Sequence, residues 1–241
     1  MIKRFNRYEI KYSIPVASLA KLKADLARFL KGDAYGGDSG FYSIASLYFD
    51  TPELDCYRNK LDGLLFRRKL RIRVYPELDD DVAFVEIKQR VNRTVQKRRL
   101  PMKLKDAYAM CSGARHFKLS DPDDQEIADE VHFLVTALRL KPKNVIAYTR
   151  QAYVGHTVDP GLRLTFDTLV RTRSASFDLE DKRKMQVAFP AAEQNMVPRH
   201  FLSRPWAISL FAHHWPRAFC VQGQSSGGDG AVAELCAIIN I

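Results

Sequence analysis

Twelve ionic residues of this chain fall on segments that alternate polar and apolar side chains: Arg7, Glu9, Lys11, Lys69, Arg71, Arg73, Glu86, Lys88, Lys97, Arg99, Arg150 and Arg163. Most are cations. Arginine offers a planar fork of donors that matches two phosphate oxygens at once, and lysine adds a compact point charge, so the set suits a polyanion. The two carboxylates, Glu9 and Glu86, suit a divalent metal that bridges phosphate oxygens.

The elements that carry these residues are legible from periodicity. Arg4 to Tyr12 alternates Tyr8, Ile10 and Tyr12 with Arg7, Glu9 and Lys11, as a strand with one charged face does. Val16 to Lys31 repeats leucine and phenylalanine at helical spacing and ends at Lys31-Gly-Asp33. Phe41 to Phe49 reads as a second strand, and Thr51-Pro52-Glu53 offers an N-cap with proline in the first helical position of a short helix to Leu61. In Arg67 to Tyr75, Leu70, Ile72 and Val74 alternate with Lys69, Arg71 and Arg73, the cleanest strand signal in the chain. After the acidic turn Pro76 to Asp81, Val82 to Gln89 is its hairpin partner and Thr94 to Leu100 a further strand. Residues 103–139 are helical in pattern, with Ser120 or Asp121 capping the second half. Strands return at Asn144 to Val154 and at Leu162 to Val170, where Arg163, Thr165 and Asp167 share one face. From residue 176 the pattern decays, and Gln222 to Gly230 has the composition of a flexible linker.

On a single strand, charges that alternate with hydrophobes usually form a solvated outer face. Recurrence across several strands argues otherwise, because like charges on neighbouring strands repel unless an anion lies between them. A twisted antiparallel sheet curled with its charged faces inward resolves the conflict, and its lumen must then hold a polyanion. The expected fold is α+β: an antiparallel β-tunnel of about eight strands with flanking helices and an irregular C-terminal part.

Composition narrows the partners. Thirty-eight Lys and Arg against 28 Asp and Glu give a net charge of +10, which favours an anionic partner. Nucleic acid is disfavoured, because aromatic residues do not interleave with cations as stacking platforms do. No apolar run has the length of a membrane span and no secretory signal opens the chain, so a cytoplasmic location is expected. Cys56, Cys111, Cys220 and Cys236 form no C-x-x-C pair and read as ordinary thiols. His213-His214, near His200, is poorly spaced for a shared metal. Neither a Gly-rich phosphate loop nor a Gly-x-Ser-x-Gly elbow occurs, so a nucleotide site has to be built from side chains.

Taken in order, Arg7-Tyr-Glu-Ile-Lys-Tyr12, Ser46-Leu-Tyr-Phe-Asp-Thr51, Tyr57-x-x-Lys60-x-x-Gly63, Arg67-x-Lys-x-Arg-x-Arg-x-Tyr75, Phe84-Val-Glu-Ile-Lys88, Lys97-x-Arg99, Tyr148-x-Arg150 and Leu162-Arg-Leu-Thr-Phe-Asp-Thr168 resemble the VTC domain. That is the polyphosphate polymerase domain of the vacuolar transporter chaperone complex and its bacterial relatives, among the triphosphate tunnel metalloenzymes. The resemblance covers residues 4–170 and implies a tunnel that takes ATP or another triphosphate, uses Mn2+ or Mg2+, and transfers the γ-phosphoryl to a polyphosphate chain. By position it implies Lys11, Arg71, Arg73, Lys88, Arg150 and Arg163 as catalytic cations, Arg7, Lys60, Lys69, Lys97 and Arg99 as further phosphate contacts, and Glu9 and Glu86 as metal ligands. A partner protein is a further expectation.

One part of the family pattern is missing. A late strand there carries a metal-binding Glu-x-Lys, and Glu180-Asp-Lys182, in a charged stretch without alternation, is a poor substitute. Residues 1–175 are therefore read as the tunnel domain and 176–241 as an atypical, incomplete or frameshifted remainder. The resemblance also leaves two alternatives to polymerisation: an inactive polyphosphate- or nucleotide-binding module, and a triphosphatase of the same superfamily.

Overall fold

A computed structural model describes residues 4–7, 9–15, 19–37, 40–77, 81–92, 94–114, 117–156, 162–181, 185–187 and 234–240. The side chains of residues 4–15, 187 and 234–240 lie outside that description, as do His200, His213, His214 and the Gln222 to Gly230 stretch.

The described strands are β1 (Arg4–Arg7), β2 (Glu9–Pro15), β3 (Leu30–Gly32), β4 (Phe41–Asp50), β5 (Phe66–Val74), β6 (Val82–Val91), β7 (Thr94–Lys103), β8 (Lys141–Gly155), β9 (Arg163–Arg173), β10 (Gln186–Val187) and β11 (Glu234–Asn240). They form one 11-stranded sheet in the order β1-β7-β6-β5-β4-β8-β9-β11-β2, with β3 on β8 and β10 on β9. Every pairing is antiparallel. The α+β architecture is the expected one. It has more strands than the eight anticipated, because the first strand is split, short β3 and β10 join, and β11 comes from the segment without a readable pattern.

Among the described residues no hydrogen-bonded ladder joins the two ends of this path. They are β1 and β2, which follow one another in the chain with only Tyr8 between them. Three consecutive Cα atoms span no more than about 7 Å, so the two edges approach through the covalent chain. Strand β11 fills the place between β9 and β2, with Ile238 opposite both Thr165 and Lys11.

The helices are α1 (Leu19–Leu26), α2 (Asp55–Leu61), α3 (Leu104–Ser112) and α4 (Pro122–Ala137). One apolar cluster joins the back faces of β4–β7, through Leu47, Leu70, Ile72, Val85, Ile87 and Leu100, to Ala107, Met110, Ile127, Val131 and Leu134 of α3 and α4. A second packs Leu22 of α1 and Leu30 of β3 on Leu164 and Phe166 of β9. Each buried leucine or isoleucine contributes about 1.5–3 kcal/mol. The helices thus cover the apolar side of the sheet, which commits the alternate, charged residues to the other side.

Local readings differ from expectation in three places. The first helix stops at Leu26, and Leu30–Gly32 is a strand; Leu30 lies in the same cluster as Leu22, so apolar spacing did not distinguish the two conformations. Thr51 does not cap α2 from the N-cap position: the helix begins at Asp55 after a left-handed Leu54, φ 63°. The buried Asp50 carboxylate accepts hydrogen bonds from the Cys56 and Tyr57 amides at 2.8 and 3.0 Å, and Thr51 Oγ1 accepts one from Asp55 N at 2.9 Å. The 103–139 pattern is broken into two helices, the first ended by left-handed Gly113 (φ 75°), while the second is capped, as expected, by Asp121, which accepts from the amides of Asp123 and Asp124.

Candidate functional site

Antiparallel register sets residues in rungs across neighbouring strands, all on one face. Arg71 lies opposite Glu86, which lies opposite Arg99; the next rung is Lys69, Lys88 and Lys97, and the one beyond it holds Arg67 and Arg90. On the other side of Arg71, Arg73 sits between Ser46 of β4 and Phe84 of β6. Directly opposite side chains stand about 4.5–5.5 Å apart, so a rung of three lysines sets like charges side by side.

This face is enclosed. Glu86 is fully buried, and Arg73 and Lys97 are buried. A solvated outer face, the ordinary fate of such alternation, is excluded for β5–β7.

Glu86 is the centre of the arrangement. Its Oε2 accepts from Arg71 Nε at 2.7 Å and lies 2.5 Å from Arg71 Nη2, with Arg73 Nε at 4.0 Å. Its Oε1 accepts from Arg99 Nε at 2.7 Å and lies 2.6 Å from Arg99 Nη2 and 2.5 Å from Lys97 Nζ. Burial alone would raise the Glu86 pKa; Arg71, Arg73, Lys97 and Arg99 overcome it and hold the carboxyl well below the ordinary range. Lys97 goes the other way: desolvation outweighs Glu86, Arg71, Arg99 and Arg73 add repulsion, and its pKa falls well below that of free lysine.

Hydroxyls complete the arginine shells. Arg71 Nη1 donates to Tyr48 OH at 2.8 Å, Arg99 Nη2 to Tyr75 OH at 2.8 Å, and Arg73 to Ser46 Oγ and Tyr148 OH, both at 3.1 Å. The Arg99 guanidinium also lies 4.5 Å from the Phe84 ring centre.

Across the sheet the pairing is different. Arg150 donates from Nε and Nη2 to the two oxygens of Asp167, at 2.6 and 2.7 Å. Arg163 Nη2 lies 2.5 Å from Asp33 Oδ2, an ion pair by distance though not aligned as a hydrogen bond, and donates to Tyr42 OH at 3.4 Å.

Of the residues singled out from sequence, the structure brings Arg71, Arg73, Lys97, Arg99 and Glu86 into one contact group and sets Lys69 and Lys88 on the adjoining rung. Arg150 and Arg163 occupy the β8–β9 wall with carboxylates of their own. Arg7, Glu9 and Lys11 lie in β1 and β2 opposite Val95, Asn240 and Ile238; their side chains lie outside the described residues. Lys60 is exposed on α2 and off the sheet. Sequence reasoning did not single out Asp167, Asp33, Ser46 or the tyrosines as site residues. For Asp167 the signal was present, since it alternates on the face of Arg163.

Among the described residues no group of three or more His, Cys, Asp or Glu is placed to hold an ion. Both oxygens of Glu86 already face cations, so in this arrangement Glu86 does not fit a divalent ligand set. Also among the described residues, no helix is long and apolar enough to cross a membrane.

The sequence model of the VTC domain matches residues 6–208. The chain belongs to the VTC domain family. Comparison with curated proteins gives no match. Among solved structures, this VTC domain is similar to an adenylate cyclase candidate from Bacillus halodurans, at 15% identity over 73% of this chain and 77% of that one, TM-score 0.46. It is also similar to an adenylyl cyclase-like protein from Hippeastrum described as dominantly a triphosphatase, at 18% identity over 69% and 73%, TM-score 0.40. A conserved protein from Pyrococcus furiosus follows at 17% identity over 68% and 71%, TM-score 0.36. The family assignment rests on the domain match.

Proposed function

We propose that this VTC domain binds the phosphate chain of ATP, of another triphosphate or of polyphosphate along the β5–β7 wall, and passes the triphosphate's γ-phosphoryl group to the terminal oxygen of a growing polyphosphate, breaking the β–γ bridge and releasing the diphosphate. The observation that carries the reading is the pair of rungs Arg71-Glu86-Arg99 and Lys69-Lys88-Lys97, where five cations stand with one carboxylate on an enclosed face. Condensed phosphate matches such a surface in charge: its phosphates offer oxygens to the forks and ammonium groups along the track. Arg71, Arg73, Lys97 and Arg99 take the role of phosphate cations, with Lys69 and Lys88 extending the track.

In this family a divalent ion, Mn2+ or Mg2+, neutralises charge on the transferred group, and Glu9 belongs to the expected ligand set. The saturation of Glu86 by cations favours a second reading, a phosphate-binding domain without turnover. Incubating the purified chain with ATP and Mn2+, then with ATP and Mg2+, separates the two. Chains of phosphate longer than the substrate support the polymerase. Orthophosphate or pyrophosphate alone marks a triphosphatase, binding without product marks the module, and no binding of ATP or tripolyphosphate overturns the phosphate reading altogether.

A further inference from the structure

Glu86 is the least exposed member of its cluster. Side-chain exposure rises from 0% at Glu86 through 5% at Arg73, 9% at Lys97 and 13% at Arg71 to 20% at Arg99. The carboxylate therefore lies beneath the cations, and the cations hold what open surface the cluster has. Arg71 and Arg99 each present Nε and Nη2 to a single Glu86 oxygen, and each is pinned again by a phenol, Tyr48 or Tyr75. A guanidinium held at two edges has a fixed plane, and its remaining N–H groups point in fixed directions.

We propose that Glu86 is a positioning residue that fixes the phosphate-binding cations from beneath and is not a metal ligand. A divalent ion requires oxygens at about 2.0–2.6 Å. The space in front of each Glu86 oxygen is taken by a guanidinium, and on one side also by the Lys97 ammonium, so an ion there would displace them and stand among like charges. As a counter-ion Glu86 serves four cations at once, so among the described ion pairs of this cluster cations outnumber carboxylates. Bound phosphate supplies further negative charge. This part of the inference rests on the phosphate reading; the counter-ion role itself does not.

The test is thermal unfolding of the full chain in EDTA, with and without tripolyphosphate, for wild type, Glu86→Gln, and Glu86→Gln combined with Lys97→Met. Without anion, Glu86→Gln is expected to melt below wild type because its buried cations have lost their partner. Tripolyphosphate is expected to raise its melting temperature by more than it raises that of wild type, since the ligand replaces the missing charge. Removing Lys97 as well is expected to restore part of the loss without any anion. A metal ligand gives another pattern: Glu86→Gln melts like wild type in EDTA and loses a stabilisation by Mn2+ that wild type shows, and that result overturns the proposal. Should Glu86→Gln fail to fold, recovery of folding in the double variant supports the counter-ion role and its failure overturns it. Should compensation by Lys97→Met appear while no variant responds to tripolyphosphate, Glu86 keeps its role and the phosphate reading falls.

Discussion

The two walls of the sheet hold arginines under opposite accounting of charge. On β5–β7, Arg71, Arg73, Lys97 and Arg99 converge on the single carboxylate of Glu86. On β8–β9, among the described residues, Arg150 pairs with Asp167 and Arg163 with Asp33. A buried arginine with its own bidentate carboxylate is internally complete, and a ligand must break that pair to use it. Among the described residues the β5–β7 cluster has more cations than carboxylates, and an added anion there need not break a private pair. On the proposed reading the β5–β7 wall meets the polyanion first, and Arg150 and Arg163, which the family resemblance groups with the catalytic cations, would have to release Asp167 and Asp33 to join it.

The sharpest way to break this comparison is Arg150→Met. It leaves Asp167 buried without a partner, so stability is expected to fall by about 3–5 kcal/mol, and Asp167→Leu added to it is expected to recover most of that. Urea denaturation measures both. If Arg150→Met instead leaves stability intact and abolishes tripolyphosphate binding, the two walls are not different in kind.

Arg71→Met is the converse experiment and the next largest. It takes one of four cations from Glu86, so the carboxylate keeps partners and the fold should stand. Tripolyphosphate affinity is expected to fall by about 10–100-fold, the range of a charge-assisted contact of about 1.5–3 kcal/mol. Isothermal titration calorimetry reads it directly. An affinity unchanged within error would move the phosphate away from this wall.

The strand alternation made the charged face legible, most clearly in β5, where Lys69, Arg71 and Arg73 interleave with Leu70, Ile72 and Val74. Period two says which residues share a face but not what covers it. Enclosure followed only when α3 and α4 occupied the apolar side. Partner choice was not legible either: Glu86 and Asp167 are both carboxylates on cationic strands, and only the register, with Glu86 between Arg71 and Arg99 and Asp167 opposite Arg150, separates a shared counter-ion from a private one. Asp33 was read as part of a helix stop because its partner, Arg163, is 130 residues away in sequence. Strand β11 was missed because Leu235 to Ile239 is a short apolar run after a glycine- and serine-rich stretch, with no alternation to declare a face.

The smallest expected effect is a proton. In the empty site desolvation and three neighbouring arginines hold the Lys97 ammonium well below the ordinary lysine value, against the pull of Glu86. Phosphate beside it adds a second negative neighbour to Glu86 and raises the value. Below the empty-site value Lys97 is charged in both states, and binding moves no proton. Between the empty and filled values binding takes up about one proton, and affinity falls by up to about tenfold per pH unit as pH rises. Stability without anion follows the matching sign: between the depressed value and the free-lysine value the unfolded chain binds more protons, so stability falls as pH drops across that window and levels off below the depressed value. Calorimetry in two buffers of different ionisation enthalpy reads the uptake, and Lys97→Met should abolish it. An uptake that survives Lys97→Met would place the titrating group elsewhere, and the β5–β7 wall would lose its claim to meet the phosphate through this lysine.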